Sequence, residues 1–165
     1  MNRVIPFAHK NGKAKASRLE KGASFFKKAL ELGVAKQYDE AIKAFSSCIS
    51  AMPDNAVAYY NRGLIRQYLG KHDLAIPDYT KALELCQCNP DAYYNRAIAY
   101  HHLGDLARAI DDYTRTIELS PNDAYAYWNR GVAFSDEKDY ERAAEDYCKA
   151  IELEKRIVDF ERFAG

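Results

Sequence analysis

Tyr59-Tyr60-Asn61-Arg62-Gly63, Tyr93-Tyr94-Asn95-Arg96-Ala97 and Tyr127-Trp128-Asn129-Arg130-Gly131 recur at a spacing of 34 residues. A period of that length marks a chain built from stacked supersecondary units. One period earlier stands a weaker copy, Phe25-Phe26-Lys27-Lys28-Ala29, and the register continues through Ala41, Ala75, Ala109 and Ala143. Four units therefore start at Gly22, Ala56, Pro90 and Ala124.

Within a unit the apolar positions return at three- and four-residue spacing, as in Tyr93, Ala97, Tyr100 and then Ala109, Tyr113, Thr116, Ile117. Each unit is predicted to be two short amphipathic helices, and no strand pattern competes. Gly70 and Gly104 fall between the helices of the middle units, where glycine takes a left-handed helix-ending conformation at little cost. Pro53 and Pro121 close their units and forbid one continuous helix. Pro77 is expected in the first turn of a second helix, where its missing N–H has no intrahelical role.

With an aromatic, then Gly or Ala, then Ala, aromatic, Ala and Pro at their usual offsets, the period resembles the tetratricopeptide repeat over about residues 22 to 155. The departures are local: Gln87 and Lys155 stand where proline is usual, Lys36 and Lys138 where the turn glycine is usual, and Arg66 replaces an apolar residue. The resemblance implies an all-α fold, an α-solenoid of four helix-turn-helix repeats with a C-terminal capping helix. A single pair cannot bury its own apolar face, so neighbours stack and the last needs a cap. Residues 17–155 form the array, and 156–165, with Ile157, Val158, Phe160 and Phe163 among charges, suit the cap. Residues 1–16 form a basic arm without apolar periodicity, expected to be disordered, with helix beginning near Ser17.

The 165 residues carry 24 basic and 24 acidic side chains, so net charge alone selects neither nucleic acid nor membrane. The distribution is uneven: residues 1–28 hold eight cations against Glu20, or 8 − 1 = +7, and the remainder carries −7. No apolar run reaches the roughly 20 residues of a membrane span, and the N-terminus lacks a secretory pattern. Four scattered cysteines, Cys48, Cys86, Cys88 and Cys148, do not read as a disulfide framework, so a cytoplasmic location is expected.

Helical spacing places the second, fifth, sixth, ninth and twelfth residues of each first helix on one face. On it lie Asn61, Asn95 and Asn129 in register, flanked by Tyr60, Tyr94 and Trp128, with Leu64, Ile98 and Val132 one turn on. An asparagine offers one acceptor and two donors, so it can bond both the C=O and the N–H of an extended backbone. First helices roughly 10 Å apart would meet about every third residue of such a peptide. The competing reading is packing, with the amides bonded to the neighbouring helix and the rings between helices.

The family resemblance makes this face the concave ligand groove and implies a protein–protein interaction scaffold or adaptor holding a partner's peptide, not an enzyme. Its carboxylate clamp for chaperone C-termini is rejected on charge: the slots hold Phe26, Leu30, Asn61, Asp91 and Asn95, or Tyr60, Leu64, Asn95, Tyr125 and Asn129. Arg62, Arg96 and Arg130 recur with Asp78, Asp112 and Asp146, whereas the first unit has Lys28 and Ala44. This joint loss predicts a structural Arg–Asp pair inside each later unit.

His101-His102 with Asp105, His72-Asp73 and Cys86-Gln87-Cys88 lack the further ligands a metal site needs. No phosphate loop or nucleophile signature is present, so no catalytic residue, metal, cofactor or small-molecule substrate is expected. Two alternatives are recruitment to nucleic acid or an anionic membrane through the basic arm, and self-assembly through the ends of the array.

Overall fold

The computed structural model describes the backbone of residues 8–164 and the side chains of residues 15–155. Among the described residues there are eight α-helices: α1 Ala8–Val34, α2 Tyr38–Ala51, α3 Ala56–Tyr68, α4 His72–Leu85, α5 Pro90–His102, α6 Leu106–Leu119, α7 Ala124–Asp136 and α8 Tyr140–Ala164. Consecutive helices pack as pairs, and the second helix of each pair also packs against the first helix of the next. The result is an α-solenoid of four units in the order the period dictates.

Side-chain caps start the first helices of units two to four. Asn55 accepts from the Ala58 amide at 3.0 Å, Asn89 from Ala92 at 3.2 Å, and Asp123 from Tyr125 at 3.0 Å and Ala126 at 3.1 Å. Each such cap contributes about 1 kcal/mol by satisfying otherwise orphaned donors. The turns inside the units use left-handed residues at one register position: Gly70 and Gly104 at φ 72° and 75°, but Lys36 and Lys138 at φ 59° and 65°. The fold thus imposes the same backbone where the sequence has no glycine, against a steric penalty of roughly 1–2 kcal/mol.

Small residues set the closeness of each pair. Ala41, Ala75 and Ala109 are fully buried, and a Cβ on Gly63 would lie 2.8 Å from the Tyr79 ring. Phe45, Tyr79 and Tyr113 are fully buried aromatics, one on each second helix of the first three units.

Three expectations are corrected. Helix α1 begins at Ala8, ahead of Ser17, because Ala8, Lys10, Lys13, Ala14, Lys15 and Ala16 favour helix strongly enough to carry Asn11 and Gly12. Residues 1–7 of the basic arm lie outside the described residues. Pro77 is the sixth residue of α4, in the helix interior, where it removes one helical N–H. There Arg66 Nη1 donates to the nearby Leu74 carbonyl at 3.0 Å. Finally, 156–164 continue α8 without a break, since Lys155 stands where a proline would have ended the helix. The side chains proposed for the cap lie outside the described ones.

Candidate functional site

The three asparagines do form a register along α3, α5 and α7, but their amide nitrogens are committed to the protein itself. Asn61 Nδ2 donates to Val57 O at 2.7 Å, Asn95 Nδ2 to Asp91 O at 2.8 Å, and Asn129 Nδ2 to Tyr125 O at 3.0 Å. Asn95 donates also to the Tyr60 hydroxyl at 3.2 Å, and Asn129 to the Tyr94 hydroxyl at 2.8 Å, each reaching back to the preceding unit. Asn61 has no such second partner because Phe26, one period before Tyr60, lacks a hydroxyl.

A rung is therefore a Tyr–Asn couple spanning two units. The asparagine keeps an open Oδ1 acceptor, and the tyrosine accepts from the amide while keeping its own O–H as a donor. Burial, with the Asp91 charge second, pushes the Tyr60 hydroxyl above the ordinary tyrosine range. Burial and the Asp123 charge do the same for Tyr94. Both remain protonated donors.

The flanking rings pack inward as well. Tyr60 meets Tyr79 with centroids 5.9 Å apart, Tyr94 meets Tyr113 at 5.9 Å, and Trp128 meets Tyr147 at 4.9 Å. Tyr60 and Tyr94 are half-buried, whereas Trp128 is 49% exposed. Leu64, Ile98 and Val132 are half-buried on the same helices, and Ile98 belongs to the packing around Ala97 and Tyr113. More open than any of them are Val57 and Tyr125, at 54% and 70% exposure, in the second position of α3 and α7. Asp91 holds the corresponding position of α5, exposed and without a cation beside it among the described residues.

The Arg–Asp pairs are present in units two to four and extend further than their period announces. Arg62 pairs with Asp78 at 3.0 and 2.6 Å, Arg96 with Asp112 at 2.7 and 2.8 Å, and Arg130 with Asp146 at 2.8 and 2.8 Å. All three are two-pronged and largely buried. The remaining Nη1 crosses to the previous unit, reaching Ser46 Oγ at 2.8 Å, Thr80 Oγ1 at 3.0 Å and Thr114 Oγ1 at 3.0 Å. Those hydroxyls recur every 34 residues, a signal that was open to view in the sequence. These arginines bind the solenoid together, away from the asparagine row.

The histidines divide between partners. His101 Nε2 lies 2.7 Å from Asp136 Oδ2, and His102 stacks on His72 with centroids 4.3 Å apart at 12°. Burial, and then the neighbouring His102, push the His72 pKa below its ordinary value, and its Nδ1 is buried without a partner. Among the described residues no group of three His, Cys, Asp or Glu side chains could hold a metal ion. Cys86 and Cys88 are exposed in the α4–α5 connection, and Cys48 is buried. No described helix is long and apolar enough to cross a membrane.

One tetratricopeptide repeat model matches residues 56–87 and 90–123, and a second matches 124–156. The chain belongs to the tetratricopeptide repeat family. Its unit at 22–55, outside those matches, has the same helix pair, α1 and α2. No curated protein sequence matches the chain.

Among solved structures, MamA superposes with a TM-score of 0.82 at 21% identity, covering 96% of this chain and 99% of that one. The first tetratricopeptide domain of Spaghetti (RPAP3), bound to the HSP90 peptide SRMEEVD, has a TM-score of 0.69 at 28% identity, covering 73% and 95%. YrrB, described as a tetratricopeptide protein with an unusual peptide-binding site, has a TM-score of 0.76 at 25% identity, covering 80% and 68%. The MamA likeness establishes the shared fold.

Proposed function

We propose that this tetratricopeptide protein is an interaction scaffold, or adaptor, that holds an extended peptide of a partner protein along α3, α5 and α7. The observation that carries the reading is the Tyr–Asn couple repeated across two unit junctions, with an open acceptor and an open hydroxyl donor at each. Such a couple suits the alternating N–H and C=O of a main chain, and Val57, Tyr125 and Trp128 supply exposed apolar area beside it. Two solved structures with the same fold, the RPAP3 domain and YrrB, are described as peptide-binding, which supports the class of ligand. The acidic peptide held by the RPAP3 domain is not carried over, because this row has no cation in units two to four to meet it.

The test is capture of partner from lysate by wild type and by the Asn61→Ala, Asn95→Ala, Asn129→Ala triple variant. Capture should be lost while the far-ultraviolet circular dichroism stays that of wild type; undiminished capture by a folded triple variant rejects the assignment. Three exposed cysteines suit a reducing compartment, consistent with the cytoplasmic reading. A second reading keeps the repeats as a display for the basic segment, favoured by the exposure of Lys15, Arg18 and Lys21 along α1. Binding to anionic vesicles or nucleic acid that survives deletion of residues 1–16 combined with Arg18→Gln and Lys21→Gln would reject it.

A further inference from the structure

The groove is not neutral toward the charge of what it holds. Every asparagine amide along it is turned inward onto a main-chain carbonyl, and Asn95 and Asn129 spend both donors, so those two present acceptors only, while Asn61 keeps one N–H. The donors left, such as the hydroxyls of Tyr60, Tyr94 and Tyr125, the second Asn61 N–H and the Trp128 indole N–H, are uncharged. On the first-helix face of units two to four there is no lysine or arginine. Its single carboxylate without a basic partner is that of Asp91, since Asp136 is taken by His101. One unit further on, in the same second-position row, stands Tyr125, with Trp128 one turn along α7, both open to solvent.

From this arrangement we infer that the groove selects peptides bearing a lysine or arginine side chain, whose cation lies between the Asp91 carboxylate and the Tyr125 and Trp128 rings. The inference rests on the groove reading above and adds the chemistry of the ligand to it. A carboxylate one unit before an exposed indole and phenol in the same row can attract a cation twice, by charge and through the ring faces, and tryptophan is the strongest of the aromatic partners. An arginine adds stacking on those rings, while its N–H groups can reach the open Oδ1 of Asn95 or Asn129. An acidic side chain at the same place would meet Asp91 and the Oδ1 acceptors of Asn95 and Asn129 with no cation to offset them. The neutral neighbours Val57 and Leu64 leave the α3 end of the row to an apolar side chain.

The test is selection of a random dodecapeptide phage library on the full chain, followed by fluorescence-polarisation titration of the winning peptides. Enrichment of arginine and lysine is expected, with affinity falling about fivefold for Asp91→Asn and about tenfold for Trp128→Ala. Binding should also weaken as salt rises. Asp91 is exposed, so Asp91→Asn should keep the wild-type melting profile, whereas Trp128 also packs on Tyr147, so the loss at Trp128→Ala is read at a temperature where its own melting profile shows the variant folded.

If the selected peptides are acidic or uncharged, or if Asp91→Asn leaves a basic peptide's affinity unchanged, the charge preference is overturned. The groove reading still stands in that case provided Trp128→Ala or Tyr125→Ala weakens binding. If no peptide is selected, or every selected peptide binds irrespective of Tyr125, Trp128 and the asparagines, the groove reading fails and the preference falls with it.

Discussion

The first helix pair and the three that follow share one backbone plan but not one polar spine. In units two to four an arginine of the first helix grips its own unit's aspartate and the previous unit's hydroxyl. In the first unit the same positions are Lys28 and Ala44, and between them lies a cleft of about 340 Å³ lined by Phe25, Lys28, Leu32, Glu40, Lys43, Ala44 and Ser47. Unit one nevertheless gives Ser46 to Arg62. The contrast teaches that the arginine is a device for joining units: its third donor goes to the preceding second helix, and in unit one the arginine and its aspartate are missing together.

The same contrast runs along the seam where each second helix meets the next first helix. Tyr38 packs on Tyr68 between units one and two, with centroids 4.9 Å apart, and His72 stacks on His102 at the equivalent place between units two and three. One seam is indifferent to mild acid and the other is not.

The largest effect should come from the spine. Asp112→Ala strands the guanidinium of Arg96, whose side chain is only 16% exposed, and should cost roughly 3 kcal/mol in denaturant unfolding, whereas Lys28→Ala should change stability by less than about 0.5 kcal/mol. Equal effects at the two sites would erase the distinction between the units. Next in size, Thr80→Ala removes the hydroxyl that joins unit two to Arg96 and should cost about 1 kcal/mol, with unfolding beginning at that junction in hydrogen exchange.

The seams are separated by pH. Since the folded-state pKa of His72 lies below its ordinary value of 6.5, the unfolded chain binds the proton more readily, and stability is intact above about pH 6.5 and declines as the pH falls below it. Amide exchange at α4 and α5 should quicken from pH 7 to 5, after correction for the intrinsic rate, while α2 and α3 respond less. The His72→Tyr, His102→Tyr double variant, which copies the first seam, should remove the difference. The smallest effect is at the turns: Lys138→Gly relieves a left-handed lysine but frees the unfolded chain, for a net gain below about 1 kcal/mol in thermal unfolding.

Most of the architecture was legible because its signals are short-range and repeated. The aromatic-Asn-Arg pentapeptides locate every first helix of the later units, and Gly70 and Gly104 locate two turns. The joint absence of the arginine and the aspartate in unit one, where Lys28 and Ala44 stand, disclosed the spine from the sequence alone. The structure differs from the sequence reading at the bounds of helices α4 and α8. Pro77 was read as an early-turn proline although α4 already begins at His72, and Lys155 let α8 run on through Ala164.

The candidate site was legible only in outline. Asparagine, tyrosine and tryptophan could be set on one face by counting, yet counting cannot tell which end of an amide is spent. Nor could it rank Tyr125 above Leu64 in exposure, because that depends on how far the neighbouring first helices stand apart.

By itself the sequence determined the unit, its length, its helices and the order in which they stack, since each of these follows from apolar periodicity and backbone preference within a window of one repeat. That Asn95 and Asn129 turn their donors to Tyr60 and Tyr94, and that an arginine reaches back to a hydroxyl on the preceding second helix, is settled by the packing of unit on unit. Those partners lie 35 and 16 residues away, and the rotation of one unit on the next brings them within bonding distance, a quantity no local pattern encodes.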